Sequence, residues 1–257
     1  MTDFEKEIER ARGVYTARVG NPALSRLYSP YHPSNLLTIQ DREWIIADLL
    51  RRSGLWSLAD LDILDVGCGS GGELRRMTTN GADPARLAGI DLMQPRIDEA
   101  RKVLPAARLE VGSAHQLPFP DASFDLVTQF VLFSSVVNPE LRAAIAGEML
   151  RVLRPEGRII WYDIKSMKPN PNLVPIDLKE MRALFPGCAI TVRKATLGWW
   201  PSHFMARRSR VAAILMTKLP LARSHYVAMI RKTGEPSAAG TGSAGSAAGA
   251  VSAGSAD

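Results

Sequence analysis

Between Leu61 and Met77 the chain reads LDILDVGCGSGGELRRM, an apolar run that meets a cluster of glycines and then a helical pattern. Gly67, Gly69 and Gly72 satisfy G-x-G-x-x-G, the spacing that bends a chain over a dinucleotide pyrophosphate, while Gly67, Gly69 and Gly71 equally satisfy G-x-G-x-G. Glycine serves either pattern because no Cβ keeps a ligand off the backbone. The discriminating residue is Asp65, two positions ahead of the first glycine, at the expected carboxyl end of a strand. A carboxylate there repels a pyrophosphate and attracts the ammonium group of an amino acid, which favours S-adenosylmethionine over NAD. Asp91 ends the next strand, in LAGID, where ribose hydroxyls lie in either cofactor; it argues only against a 2′-phosphate.

Other candidates follow from position. Gln129, at the end of a fourth strand, is placed for the methionine end of the ligand. Tyr162 and Asp163 close the fifth strand on the carboxyl side, where open α/β sheets bind ligands, and a desolvated Asp163 suits the role of proton acceptor as well as that of a structural cap. Each of the four histidines is a candidate general base by residue type, and His32, a candidate catalytic residue, lies with Tyr28 and Tyr31 in an aromatic, proline-rich stretch that reads as a lid. His203 neighbours Trp199 and Trp200, His115 falls in a loop, and His225 begins a strand, which reads as structural.

The elements that must hold these groups alternate. Strand patterns cover 61–66, 86–91, 107–112, 124–130 and 157–164, with helical patterns between them, and a late pair, 189–197 and 225–232, suits an antiparallel addition at one edge. The alternation predicts a doubly wound, Rossmann-like α/β sheet. Ahead of the first strand, DREWIIADLLRRSGL reads as a helix capped by Asp41. The expected divisions are a lid and helix over 1–55, the main domain over 56–235 with acceptor-binding segments near 165–222, and an Ala/Gly/Ser tail over 236–257.

Charge is unevenly spread over the 257 residues. The net charge is +6, and Cys188 to Gly234 holds nine Lys and Arg with no Asp or Glu. Either this is a solvated basic face, or it attracts an anionic or lipid-linked partner. The two cysteines lack metal-ligand spacing, so no metal is expected. No run of eighteen apolar residues occurs, and MTDFEKEIERAR has no apolar core of a signal peptide, so the expected location is cytoplasmic, with peripheral membrane contact through the basic segment.

Taken in order, ILDVGCGSGGEL, GIDLMQPRIDEAR, GSAHQLPFPDASFDLV and EMLRVLRPEGRIIWYDI resemble the successive motifs of class I S-adenosylmethionine-dependent methyltransferases, in the branch called methyltransferase type 11. The resemblance covers about residues 35–165 and implies a seven-stranded sheet whose last strand is antiparallel. It also implies that Asp65 and the backbone at Gly67 and Gly69 hold the methionine end, that Asp91 holds the ribose, and that Leu92 and Met93 flank the adenine. The chain departs from the family twice. Ser113 stands where an Asp commonly accepts from the adenine amino group, which shifts that contact toward Ala114 or His115, and VLFSSV lacks the histidine many relatives carry after the fourth strand. The implied function is methyl transfer to a small molecule, by preference to an oxygen of a sugar, a glycan precursor or a secondary metabolite. RNA, protein or peptide methylation stays open, as does a nucleotide-binding oxidoreductase; nothing points to DNA.

Overall fold

In the computed structural model, residues 2–18, 29, 32–166, 170, 172–198, 209–217 and 219–233 are described. Seven strands form one sheet: β1 (Ile63–Val66), β2 (Leu87–Asp91), β3 (Arg108–Val111), β4 (Phe124–Phe130), β5 (Leu153–Ile164), β6 (Cys188–Leu197) and β7 (Arg223–Lys232). Their order is β3-β2-β1-β4-β5-β7-β6. Neighbours from β3 to β5 are parallel, and β7 runs antiparallel to both β5 and β6, as expected of the late pair. All four residues of β1 and all five of β2 are buried, because helices cover both faces of a parallel sheet.

Strand alternation divides the core in two. Leu64, Val66, Val127, Ile159 and Trp161 face α5 (Pro139–Val152), which contributes Leu141, Ile145 and Met149, and α6 (Leu178–Leu184), which contributes Met181 and Leu184. Ile63, Leu126, Ile160 and Tyr162 face α2 (Pro33–Arg52), α3 (Gly72–Thr79) and α4 (Gln94–Val103), through Ile45, Leu49, Leu74 and Ile97. A last short helix, α7 (Arg210–Met216), leaves Val211 and Leu215 exposed.

Two expectations change at the amino-terminal side. The helix expected from Asp41 begins at Pro33, where His32 is the N-cap and its ring accepts from the Ser34 N–H. Asp41 therefore sits within the helix, where its carboxylate accepts from the Thr196 N–H at 2.8 Å and meets Arg223 at 3.4 Å, tying α2 to the antiparallel edge. The second change is α1 (Asp3–Arg18), which nobody would place by charge content alone. Phe4, Ile8, Ala11 and Tyr15 recur on one helical face, and Thr2 with Glu5 forms a reciprocal capping box, the Glu5 N–H donating to Thr2 Oγ1 at 3.2 Å and the Thr2 N–H to Glu5 Oε2 at 2.6 Å. Tyr28, Tyr31, Trp199, Trp200, His203 and the residues of the Ala/Gly/Ser tail lie outside the described residues.

Candidate active site

The strand order reverses at β1, and at that switch point the carboxyl ends of β1, β2, β4 and β5 open into a cavity of about 850 Å³. One end is lined by Asp91, Leu92, Ser113 and Ala114, the floor by Asp65, Gly67 and Gly69, and the far end by Phe130, Ile164 and His225. Glu7, Ala11 and Tyr15 of α1 line it from the side of the chain's start. His32 spends its ring on capping α2 and is absent from the lining, while Tyr28 and Tyr31 of the stretch expected to form a lid lie outside the described residues.

The glycine turn is shaped by backbone demands. Gly67 has φ of +79°, and a Cβ there would lie 3.2 Å from Leu132 Cδ1, so a side chain would be strained and would crowd the cavity wall. The N–H groups of Gly67 and Cys68 both donate to the Ile90 carbonyl, at 2.8 and 3.0 Å, which locks the turn against β2. Asp91 then accepts from the Gly69 N–H at 3.0 Å and the Met93 N–H at 2.9 Å. A carboxylate has about four acceptor sites, so room is left for ligand hydroxyls. Met93 itself opens α4 and does not line the cavity. Ser113 lines it, with its hydroxyl 2.6 Å from His115 Nδ1, and Phe4 of α1 meets the His115 ring edge-on.

Asp65 is 2% exposed, and its Oδ1 accepts from Thr128 Oγ1 at 2.8 Å. Burial pushes its pKa up to about 8, against the opposing hydrogen bond from Thr128; nearby Glu73 raises it further and Arg42 lowers it. The carboxyl therefore holds its proton near neutrality and becomes an anion when a cation arrives. Such a group, on the floor of a cavity, fits the ammonium end of S-adenosylmethionine, and Asp91 fits its ribose hydroxyls. Arg42, itself 5% exposed, also lines the cavity; it pairs with Glu73 at 2.6 Å and lies over the Phe130 and Tyr162 rings.

Three expected contacts turn out to be braces behind the wall. Gln129 is fully buried: its Nε2 donates to the Tyr162 carbonyl at 3.3 Å and its Oε1 accepts from the Leu132 N–H at 3.0 Å. It thereby supports a turn in which Val131, a lining residue, is held at φ of +60°, a costly conformation for a β-branched side chain. Asp163 accepts from the Ser134 N–H at 3.2 Å and the Ile164 N–H at 2.8 Å, and burial lifts its pKa to about 6. Tyr162 shares a 2.7 Å hydrogen bond with Thr196, and burial pushes its pKa up to about 12. Neither Asp163 nor Tyr162 lines the cavity; their hydrogen bonds go to the loop after β4 and to Thr196.

His225, whose place at the start of a strand reads as structural, lines the cavity. Its ring stacks on Tyr162 at a centroid distance of 4.9 Å and an angle of 6°. Its signal in the sequence was weak: a histidine opening a strand faces the ligand edge only if that strand runs antiparallel. Among the described residues no group of three or more His, Cys, Asp or Glu is placed to hold a metal ion.

A family model described as a methyltransferase domain matches residues 64–161, from β1 to β5. The chain is 30% identical over 173 residues to 27-O-demethylrifamycin SV methyltransferase of Amycolatopsis mediterranei, covering 65% of this chain and 61% of that protein. It is 34% identical over 160 residues to nocamycin O-methyltransferase of Saccharothrix syringae, covering 60% and 52% respectively. The chain spans about a third to three-fifths of the length of such curated relatives. In fold it is similar to an S-adenosylmethionine-dependent methyltransferase from Mesorhizobium loti, with a TM-score of 0.52 at 17% identity over 72% of this chain and 96% of that one. The cavity, its buried carboxyl and the matched motifs converge: residues 64–161 form a methyltransferase domain similar to that of the class I S-adenosylmethionine-dependent enzymes.

Proposed function

We propose that this protein methylates a hydroxyl oxygen of an apolar small molecule of the secondary-metabolite kind, using S-adenosylmethionine. The observation that carries the reading is the division of one cavity: Asp65 and Asp91 at one side, and at the other the mostly apolar Phe130, Val131, Leu132, Ile164 and Leu173, with Arg42 over the Phe130 ring and His225 beside them. A bound S-adenosylmethionine would supply an electrophilic methyl group on a sulfonium. Asp65 and the Gly67 turn would hold its amino acid end, Asp91 its ribose, and Leu92, Ser113 and Ala114 its adenine. The apolar end favours a lipophilic acceptor over a sugar or glycan precursor, since sugar hydroxyls need a dense set of polar partners. The relatives' names, which concern rifamycin and nocamycin methylation, point the same way.

Calorimetric titration with S-adenosylmethionine, S-adenosylhomocysteine and NAD tests the cofactor, with binding of the first two expected; a protein that bound NAD alone would overturn the reading. Transfer of a labelled methyl group into a panel of hydroxylated apolar metabolites and free sugars tests the acceptor. Label found only in sugars would remove the secondary-metabolite assignment. A second element of the reading is contact with an anionic membrane surface, supported by Val211, Leu215, Leu219 and Leu221, all more than half exposed within the acid-free basic stretch. Co-sedimentation with anionic but not zwitterionic vesicles is the expected result.

A further inference from the structure

Across the sheet edge the cavity follows the strand order: adenosine-side groups over β2 and β3, Asp65 over β1, and His225 beyond β4 and β5, at the start of β7. A residue in that last position lies past the cofactor, on the acceptor's side. We propose that His225 is a catalytic residue, the proton acceptor for the methylated hydroxyl, with its tautomer set by Ser224 and Thr196. This rests on the reading of the cavity as a methyl-transfer site.

The geometry assigns each nitrogen. His225 Nδ1 lies 2.8 Å from Ser224 Oγ, and the Ser224 hydroxyl donates to the Thr196 carbonyl at 3.4 Å. With the hydroxyl proton assigned to that carbonyl, Ser224 Oγ offers lone pairs to the ring, Nδ1 carries the hydrogen and Nε2 presents a lone pair. Nε2 has no hydrogen-bond partner among the described residues. The ring cannot pivot away, because it stacks on Tyr162, whose hydroxyl is anchored to Thr196 Oγ1. No carboxylate acts on it: burial, then Arg42 from α2 and Lys165 after β5, hold its pKa down at about 4. His225 is thus neutral across the physiological range, and it adds no positive charge beside a sulfonium.

The step balances without a further reactant. The acceptor oxygen forms a bond to the methyl carbon as the carbon–sulfur bond breaks, its electron pair going to sulfur. The hydroxyl proton passes to Nε2. A protonated ether is far more acidic than any imidazolium, so a base of depressed pKa still takes the proton as the new bond forms.

Two measurements test this. His225→Asn and His225→Gln should lower kcat by about 100- to 10,000-fold, the usual range for loss of a positioned base, while S-adenosylhomocysteine affinity by calorimetry stays within about threefold and added imidazole restores part of the rate. Nitrogen-15 NMR of the wild-type imidazole should show the Nδ1–H tautomer from about pH 5 to 8, and Ser224→Ala should shift it toward Nε2–H. A wild-type Nε2–H tautomer overturns the proposal, as do variants that turn over at the wild-type rate or that lose S-adenosylhomocysteine binding in step with activity. Should neither variant fold, the wild-type tautomer decides alone. A wild type that binds no S-adenosylhomocysteine would instead sink the methyltransferase reading itself.

Discussion

The two ends of the cavity are built in opposite ways. The end proposed for the cofactor comes from one short span of chain: Asp65, the Gly67 turn and Asp91 lie between β1 and the end of β2, and the Gly69 and Met93 N–H groups fix the Asp91 carboxylate. The acceptor end is assembled from remote pieces, α1 from the start, Phe130 and Ile164 from the middle, His225 from the last strand. A local construction fixes one ligand by geometry and leaves little to vary. A dispersed one lets acceptor preference change through loops and helices without disturbing the cofactor, as folds that host many reactions require.

Breaking the cofactor end should have the largest effect. Asp65→Asn removes a buried carboxyl beside the turn, and loss of one partner from a buried charged contact costs about 2–5 kcal/mol, so affinity for S-adenosylmethionine by calorimetry should fall at least thirtyfold. The same substitution should raise the melting temperature of the ligand-free protein at pH 7. Asp65 has a folded pKa of about 8 against an ordinary carboxylate value when unfolded, so the folded state binds the extra proton. Its contribution is present below about pH 4 and is lost as pH rises toward 8. An unchanged melting temperature together with normal binding would show that the carboxyl plays no part.

That linkage yields a second, smaller signal. A cation that ionises Asp65 must expel its proton, so cofactor affinity should weaken as pH drops below about 8, by up to about tenfold per pH unit. Calorimetry in buffers of different ionisation enthalpy should register the released proton at pH 7. A flat profile between pH 6 and 8 would contradict the placement of the ammonium on Asp65.

The same contrast explains what could be read from sequence. Seven strands and their order of appearance were legible because β1 and β2 are continuous apolar runs closed by Asp and Gly, and Asp65 and Asp91 were legible because the motif carries its own spacing. Side-chain orientation and register were the obstacle elsewhere. Alternation puts Tyr162 and Asp163 at the right height, but their side chains turn to the two core faces, and only the register of β5 against β7 reveals that His225 shares that edge. Gln129 failed for a related reason: a buried amide at a strand end is as useful for bracing a φ of +60° at Val131 as for touching a ligand. α1 was missed because its apolar face is thin, although its Thr2–Glu5 box and the Phe4, Ile8, Ala11, Tyr15 spacing were present.

At the acceptor end the effects should be smaller and felt through α1. Glu7 is buried, yet it accepts from Arg10 and from the Val137 N–H at 2.7 Å, and these bonds outweigh burial to hold its carboxyl below the usual range. Glu7→Ala leaves the Val137 N–H and the Arg10 guanidinium without their partner, a loss of about 1–3 kcal/mol. Amide exchange in α1 should quicken by about five- to 150-fold while exchange in β1 stays unchanged. Acidification should act likewise: the depressed pKa means that Glu7 supports docking above the ordinary carboxylate range and ceases to as pH falls through its folded value. Exchange that rises equally in β1 would mean global destabilisation instead.

Tyr15→Phe should give the smallest change and the sharpest one. The Tyr15 hydroxyl donates to Ser135 Oγ at 2.9 Å, and Ser135 passes the interaction to the Val131 carbonyl at 3.1 Å, so one hydroxyl links α1 to the strained turn at the acceptor end. The ring has a separate attachment at the cofactor end, where Arg96 lies 4.9 Å from its centroid and 3.8 Å from Asp91. Phenylalanine keeps the ring and loses the hydroxyl, a neutral hydrogen bond worth about 0.5–1.5 kcal/mol. The KM for the acceptor should therefore rise by about two- to tenfold with S-adenosylhomocysteine affinity almost unmoved, whereas Tyr15→Ala, which also removes the ring beneath Arg96, should weaken both. If Phe and Ala prove equivalent, the hydroxyl chain is the whole attachment and the two ends are coupled through Val131 alone; if Phe weakens cofactor binding as much as acceptor binding, the ends are not separable and the contrast between them fails.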